Sequence, residues 1–169
     1  PEVRLSTLDS PLSTLWRIPV MDGDFIVDCL AGVARGVAGG NLIVQAESQL
    51  TALAAAQRAA GAVAPLAGVI TPFPGGVCRS GSKVGSKYKG VVASTHDAYC
   101  PTLRDRGPSQ LVAGARCAYE IVIDGVDRET VAAAMRAAIQ AAAGEGVLAI
   151  GAGNYGGKLG QISIRLHEL

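Results

Sequence analysis

Two alanine-rich segments, each set between β-branched runs, restrict the fold of this chain more than any other feature. Residues 48–61, "SQLTALAAAQRAAG", and residues 127–144, "DRETVAAAMRAAIQAAAG", are built from the best helix formers. Ser48 and Asp127 stand where an N-cap is needed, and Gly61 and Gly144 stand where a helix ends. In the second segment Val131, Met135, Ala138 and Ile139 recur at helical spacing, so they face a core. Met135 is therefore read as a packing residue rather than a ligand.

Around the helices lie runs bounded by Gly, Asp or Asn that read as strands. These are residues 41–47 ("NLIVQAE") and 66–73 ("LAGVITPF") about the first helix, and 118–125 ("AYEIVIDG") and 146–153 ("GVLAIGAG") about the second. Residues 161–169 ("QISIRLHEL") read as one more strand. The order is βαβ, a long glycine-rich insertion over residues 74–115, then βαβ and a strand. Two such units predict a ferredoxin-like α+β sandwich on a mostly antiparallel sheet, extended at its N-terminus by strands near "TLWRIPV" and "DFIVDC". At 169 residues the chain is expected to form a single domain over 1–169 with a core large enough to need no staples.

Composition excludes several function classes. Fifteen Lys and Arg against fourteen Asp and Glu leave a formal charge of +1, so no global field favours nucleic acid or an acidic membrane, and any anion binding must be local. Cys29, Cys78, Cys100 and Cys117 form neither a CxxC pair nor a zinc-spaced set, which reads as reduced thiols and no metal. No apolar run approaches the roughly 18 to 20 residues that span a bilayer, and the chain opens without a leader pattern. A soluble, cytoplasmic protein is expected.

The insertion begins with "FPGGVCRSGSKVGSKYKG", residues 73–90, in which five glycines, three serines and four basic residues lie together without a carboxylate. Its Ser82-Lys83 order is the reverse of a nucleotide-binding P-loop, and no amphipathic helix follows. "GAGNYG", residues 151–156, matches GxGxxG, but only thirteen residues remain after it. A dinucleotide site needs a helix there and an acid about twenty residues on, so a tight turn around Asn154 is the plainer reading. Arg79, Lys83, Lys87 and Lys89 are read either as a solvated face or as an anion site, the repeated "GSK" letting backbone N–H groups and hydroxyls approach a carboxylate or phosphate. In "AYEIVIDG" alternation puts Tyr119, Ile121 and Ile123 on one face and Glu120, Val122 and Asp124 on the other. An interior Glu120 is costly to ionise, whereas an edge position would leave it ordinary. His96 and His167 form no arguable triad, and no helix N-terminus is evident to activate Cys100.

"IPVMDGDF", "GVARGVAGGN", "PFPGGVCRSGSKVGSKYK", "DAYCPTLRDR", "YEIVIDG" and "AGNYGGKLG", closing with "LHEL", together resemble the formylmethanofuran:tetrahydromethanopterin formyltransferase family over nearly the whole chain. The resemblance is to the C-terminal, or distal, lobe, family members carrying a further lobe before it. It implies formyl transfer between methanofuran, or an analogue, and tetrahydromethanopterin, both as substrates, with no bound cofactor or metal. It also implies a homo-oligomer that works with an N-terminal lobe, and a hydrolase- or dehydrogenase-type complex as a further partner. Glu120 matches the position of a catalytic acid that, kept neutral, donates to the tetrahedral oxyanion. Arg79, Ser82, Lys83, Ser86, Lys87, His96, Arg104 and Asn154 become substrate-binding candidates, although His96 stands where members carry Asn. A non-catalytic assembly or ligand-binding module with the same fold is the other expectation, should the missing lobe be essential for turnover.

Overall fold

A computed structural model describes residues 6–10, 13–30, 32–33, 35–78, 97–153 and 160–169. The chain divides into two compact units, Pro1–Arg35 and Gly36–Leu169. In the first, β1 (Ser6–Ser10), β2 (Ser13–Val20) and β3 (Gly23–Asp28) form an antiparallel meander. Arg17 and Asp24, on neighbouring strands, form an ion pair at 3.2 Å. The N-terminal strands expected from "TLWRIPV" and "DFIVDC" are thus present.

The second unit contains β4 (Val37–Ala46), α1 (Gln49–Val63), β5 (Val69–Ile70), β6 (Cys117–Gly125), α2 (Arg128–Ala142) and β7 (Val147–Gly151). Its sheet runs β5-β6-β4-β7, and every pair is antiparallel. In the central pair Leu42 lies opposite Ile121, Ile43 opposite Glu120, and Val44 opposite Tyr119. Leu42, Val44, Tyr119, Ile121 and Ile123 turn to the helices and share one core with Ala52, Ala56, Ala59, Val131, Ala134, Met135 and Ala138. Full burial of each large aliphatic side chain stabilises by about 1.5–3 kcal/mol, and the small helix residues let both helices lie close to the sheet. Gly40 shows how close: a Cβ there would come within 2.6 Å of Val131 Cγ1.

The caps follow expectation. Ser48 Oγ accepts from the Thr51 N–H at 3.1 Å, and Asp127 Oδ1 accepts from the Thr130 N–H at 2.8 Å. The N–H and hydroxyl of Thr130, hydroxyl first, hold the Asp127 carboxyl below its ordinary value. Gly61 does not end α1, which runs on to Val63; the space beside it is open, so glycine there faces outward, and Pro65 lies just beyond the cap.

Two expected strands differ. Residues 66–73 pair only at Val69–Ile70, because Gly68 adopts φ +77° before them, Pro72 has no N–H to give a ladder, and a 3-10 turn starts at Pro74. Residues 161–169 form no strand among the described residues and end in a 3-10 turn, Leu166–Glu168. Ile164, Leu166 and Leu169 pack against the core instead.

Candidate functional site

Strand alternation that sends Leu42, Val44, Tyr119 and Ile121 to the helices sends Asn41, Ile43, Gln45 and Glu120 to the opposite face of the sheet. That face is also covered: Asn41 is 5%, Gln45 4% and Glu120 7% exposed. Three buried polar side chains on one sheet face need partners, because an unsatisfied group there costs about 1–3 kcal/mol. Asn41 Nδ2 donates to Glu120 Oε1 at 2.8 Å, and Asn41 Oδ1 accepts from the Gly153 N–H at 3.0 Å. Gln45 Oε1 accepts from the Val112 N–H at 2.9 Å, and its Nε2 donates to the Gln110 carbonyl at 3.4 Å. The cover over this face is therefore held by carboxamides rather than by apolar packing alone.

Glu120 occupies an interior strand position rather than an edge. On one side it faces Ile43 of β4. On the other, Cys78 and Glu120 form an isolated antiparallel bridge, with Cys78 N–H donating to Glu120 O at 2.7 Å and Glu120 N–H to Cys78 O at 2.9 Å. Burial pushes the Cys78 thiol up, and a negative charge on Glu120 would add to that. Cys78 is the last described residue before the basic segment, and it lies beside Glu120. The turn feeding it depends on glycine: Gly76 has φ +72°, and a Cβ there would lie 2.6 Å from Ala60 Cβ.

The chain is described again from Asp97, through short 3-10 turns at Asp97–Tyr99 and Pro101–Leu103. Tyr99 is buried, and burial pushes its hydroxyl up. Arg104, one of the expected binding residues, spends part of its guanidinium on its own loop: Nη2 donates to the Ala115 carbonyl at 2.7 Å and the Val112 carbonyl at 3.3 Å. It braces the segment that Gln45 ties to the sheet.

Of the expected site residues, Glu120 and Arg104 are described, Glu120 on this face and Arg104 bonded to the 112–115 segment. Arg79, Ser82, Lys83, Ser86, Lys87, Lys89, His96 and Asn154 lie outside the described residues. Asn41, Gln45 and Cys78 were missed by sequence reasoning. A signal was available for two of them: "NLIVQ" places an amide at each end of an apolar strand, on the same face. Among the described residues no group of three or more His, Cys, Asp or Glu is arranged to hold a metal ion. A surface cleft lined by Glu47, Ser48, Gly114, Arg116 and Leu148 contains none of the expected site residues.

A family model described as "FTR, proximal lobe" matches residues 23–169. The lobe label expected from the sequence, distal, is thereby corrected to proximal. Over 157 residues the chain is 52% identical to formylmethanofuran–tetrahydromethanopterin formyltransferase of Methanopyrus kandleri, covering 92% of this chain and 52% of that one. It is 49% identical over 158 residues to the enzyme of the same name from Rhodopirellula baltica, covering 91% and 47%. The solved formyltransferase of Methanosarcina barkeri superposes with a TM-score of 0.74 at 44% identity, over 96% of this chain and 56% of that one. A formyltransferase/hydrolase complex from Methylorubrum extorquens, solved with methylofuran, gives a TM-score of 0.72 at 45% identity, over 92% and 52%. The chain spans about half the length of the curated relatives it matches.

Proposed function

The chain belongs to the formylmethanofuran–tetrahydromethanopterin formyltransferase family, and on that premise we propose that it supplies one lobe, residues 1–169, of an enzyme moving a formyl group between methanofuran, or an analogue, and tetrahydromethanopterin. The observation that carries the chemical part is the buried Glu120, bonded by Asn41 on an interior strand. In this reading a nitrogen of the pterin attacks the formamide carbon of the other carrier, and the carbonyl π electrons move to oxygen. The tetrahedral oxyanion forms within reach of Glu120, whose protonated carboxyl donates to it. Collapse re-forms the carbonyl and breaks the bond to the first carrier's nitrogen, and the proton lost by the attacking nitrogen is balanced by the one gained by the leaving amine.

Both carriers have carboxylate or phosphate groups. Arg79, Ser82, Lys83, Ser86 and Lys87 are proposed to hold them, with His96 on the pterin side and Asn154 as a further substrate-binding residue. Arg104 is proposed to act chiefly by bracing the 97–115 segment, as its bonds to Val112 and Ala115 support. No cofactor enters the reaction, since both carriers are substrates and orientation supplies much of the remaining acceleration.

The strand order β5-β6-β4-β7 with both helices on one face supports the ferredoxin-like assignment. Exposed Met21, Phe25, Ile26 and Leu30 in the first unit support a homo-oligomer or a covering lobe. The solved complex of a relative with a hydrolase supports a partner of that kind. No helix among the described residues is long and apolar enough to cross a membrane, and a cytoplasmic setting is part of the proposal.

The test is formyl transfer between the two carriers, assayed with this chain alone and with the segment that completes the length of its relatives. Transfer by the completed protein is expected. A folded, completed protein that binds both carriers without transfer overturns the reading and leaves a binding module.

A further inference from the structure

We propose that Asn41 is a positioning residue for Glu120, fixing the orientation of the carboxyl that acts on the oxyanion. The inference rests on the reading of Glu120 as donor to the oxyanion. Asn41 sits on β4, the strand between β6 and β7, and its amide reaches across both neighbours. Oδ1 takes the N–H of Gly153, just past the end of β7, and Nδ2 gives to Glu120 Oε1 on β6.

The two ends of the amide are not interchangeable here. A backbone N–H only donates, so the end facing Gly153 must be oxygen and the end facing Glu120 must be NH2. An NH2 group only donates, so Glu120 Oε1 serves as an acceptor toward it. Asn41 thereby ties the Glu120 carboxyl to β4, and the Gly153 N–H in turn holds Asn41. Because Asn41 is 5% exposed, water does not readily replace it.

The experiment compares kcat and KM for formyl transfer in the completed protein and in Asn41→Ala, Asn41→Ser, Glu120→Ala and the Asn41→Ala/Glu120→Ala pair. Asn41→Ala is expected to lower kcat by about tenfold or more, the scale for a displaced reacting group, while KM stays within about threefold. Asn41→Ser, which keeps a donor in a smaller side chain, recovers part of the rate and reports on the role if the Ala variant does not fold. In the pair, Asn41→Ala adds no further loss, because there is no carboxyl left to orient. Losses that multiply in the pair, or a change in KM alone, overturn the positioning role while leaving Glu120 as donor. If Glu120→Ala itself leaves kcat unchanged, the donor reading falls, and this inference falls with it.

Discussion

Cys78 and Glu120 exchange both backbone hydrogen bonds, at 2.7 and 2.9 Å, across an isolated bridge at the side of β6. The bridge ties the root of the basic, glycine-rich segment to the strand position that carries the candidate acid. Glu120 is therefore held from three directions: by Ile43 along β4, by Cys78 on the other side, and by Asn41 at its carboxyl.

Glu120→Gln keeps an acceptor oxygen for Asn41 and nearly the same volume, so the fold and carrier binding should survive. Formyl transfer is expected to slow by more than about tenfold, the smallest loss for a weakened transition-state donor. Steady-state kcat, with circular dichroism as a check on folding, decides the matter. An unchanged rate removes Glu120 as the donor.

Lys83→Ala and Lys87→Ala remove cations from the "GSK" repeats. If these lysines anchor the carriers' anionic groups, KM for at least one carrier rises by about three- to tenfold, as expected for loss of a charge-assisted bond partly exposed to water, with kcat little changed. Saturation curves for both carriers supply the measurement. KM values untouched for both assign these lysines to the solvated surface.

Cys78 offers a readout that does not depend on turnover. Its thiol is pushed above the ordinary 9.0 first by burial, and a negative charge on Glu120 would add to this, so less thiolate is present at neutral pH. Alkylation, followed at the Cys78 peptide by mass spectrometry, is expected to be slow near neutrality and to accelerate only as pH rises past that ordinary value. An ionised Glu120 contributes to this suppression, whereas a protonated one does not. The donor role thus predicts that Glu120→Gln leaves the Cys78 alkylation rate at about pH 7 within about twofold. A several-fold acceleration identifies an ionised Glu120 and ends that role.

Gly76→Ala tests the turn at the root of the basic segment. Alanine there must accept φ +72° and place its Cβ 2.6 Å from Ala60 Cβ and 2.9 Å from Thr71 Oγ1. A loss of about 1–3 kcal/mol is expected from backbone strain and overpacking, read from the urea midpoint. A loss below about 0.5 kcal/mol, the range of an ordinary surface change, shows that the turn relaxes freely.

Local chemistry was enough for much of the fold. Alanine content with Ser48 and Asp127 as caps determined both helices, and period-two alternation determined that Tyr119, Ile121 and Ile123 share one face while Glu120 takes the other, because both signals depend only on near neighbours along the chain. Where an end or a pairing depends on distant groups, the same reasoning fell short. Gly61 passed through α1 because its side of the helix is open, and residues 161–169 docked apolar side chains without joining a sheet.

The site shows the same division. An acid inside an apolar strand was visible in "AYEIVIDG", but whether it lay inside or at an edge was left open by alternation. Only the tertiary structure decided it, by bringing Cys78 from 42 positions earlier onto one side of Glu120 and Asn41, with |i−j| of 79, onto its carboxyl. Sequence spacing cannot set such partners, because a buried polar group is satisfied by whatever the fold carries to it, and that is a property of strand order and register rather than of any short stretch.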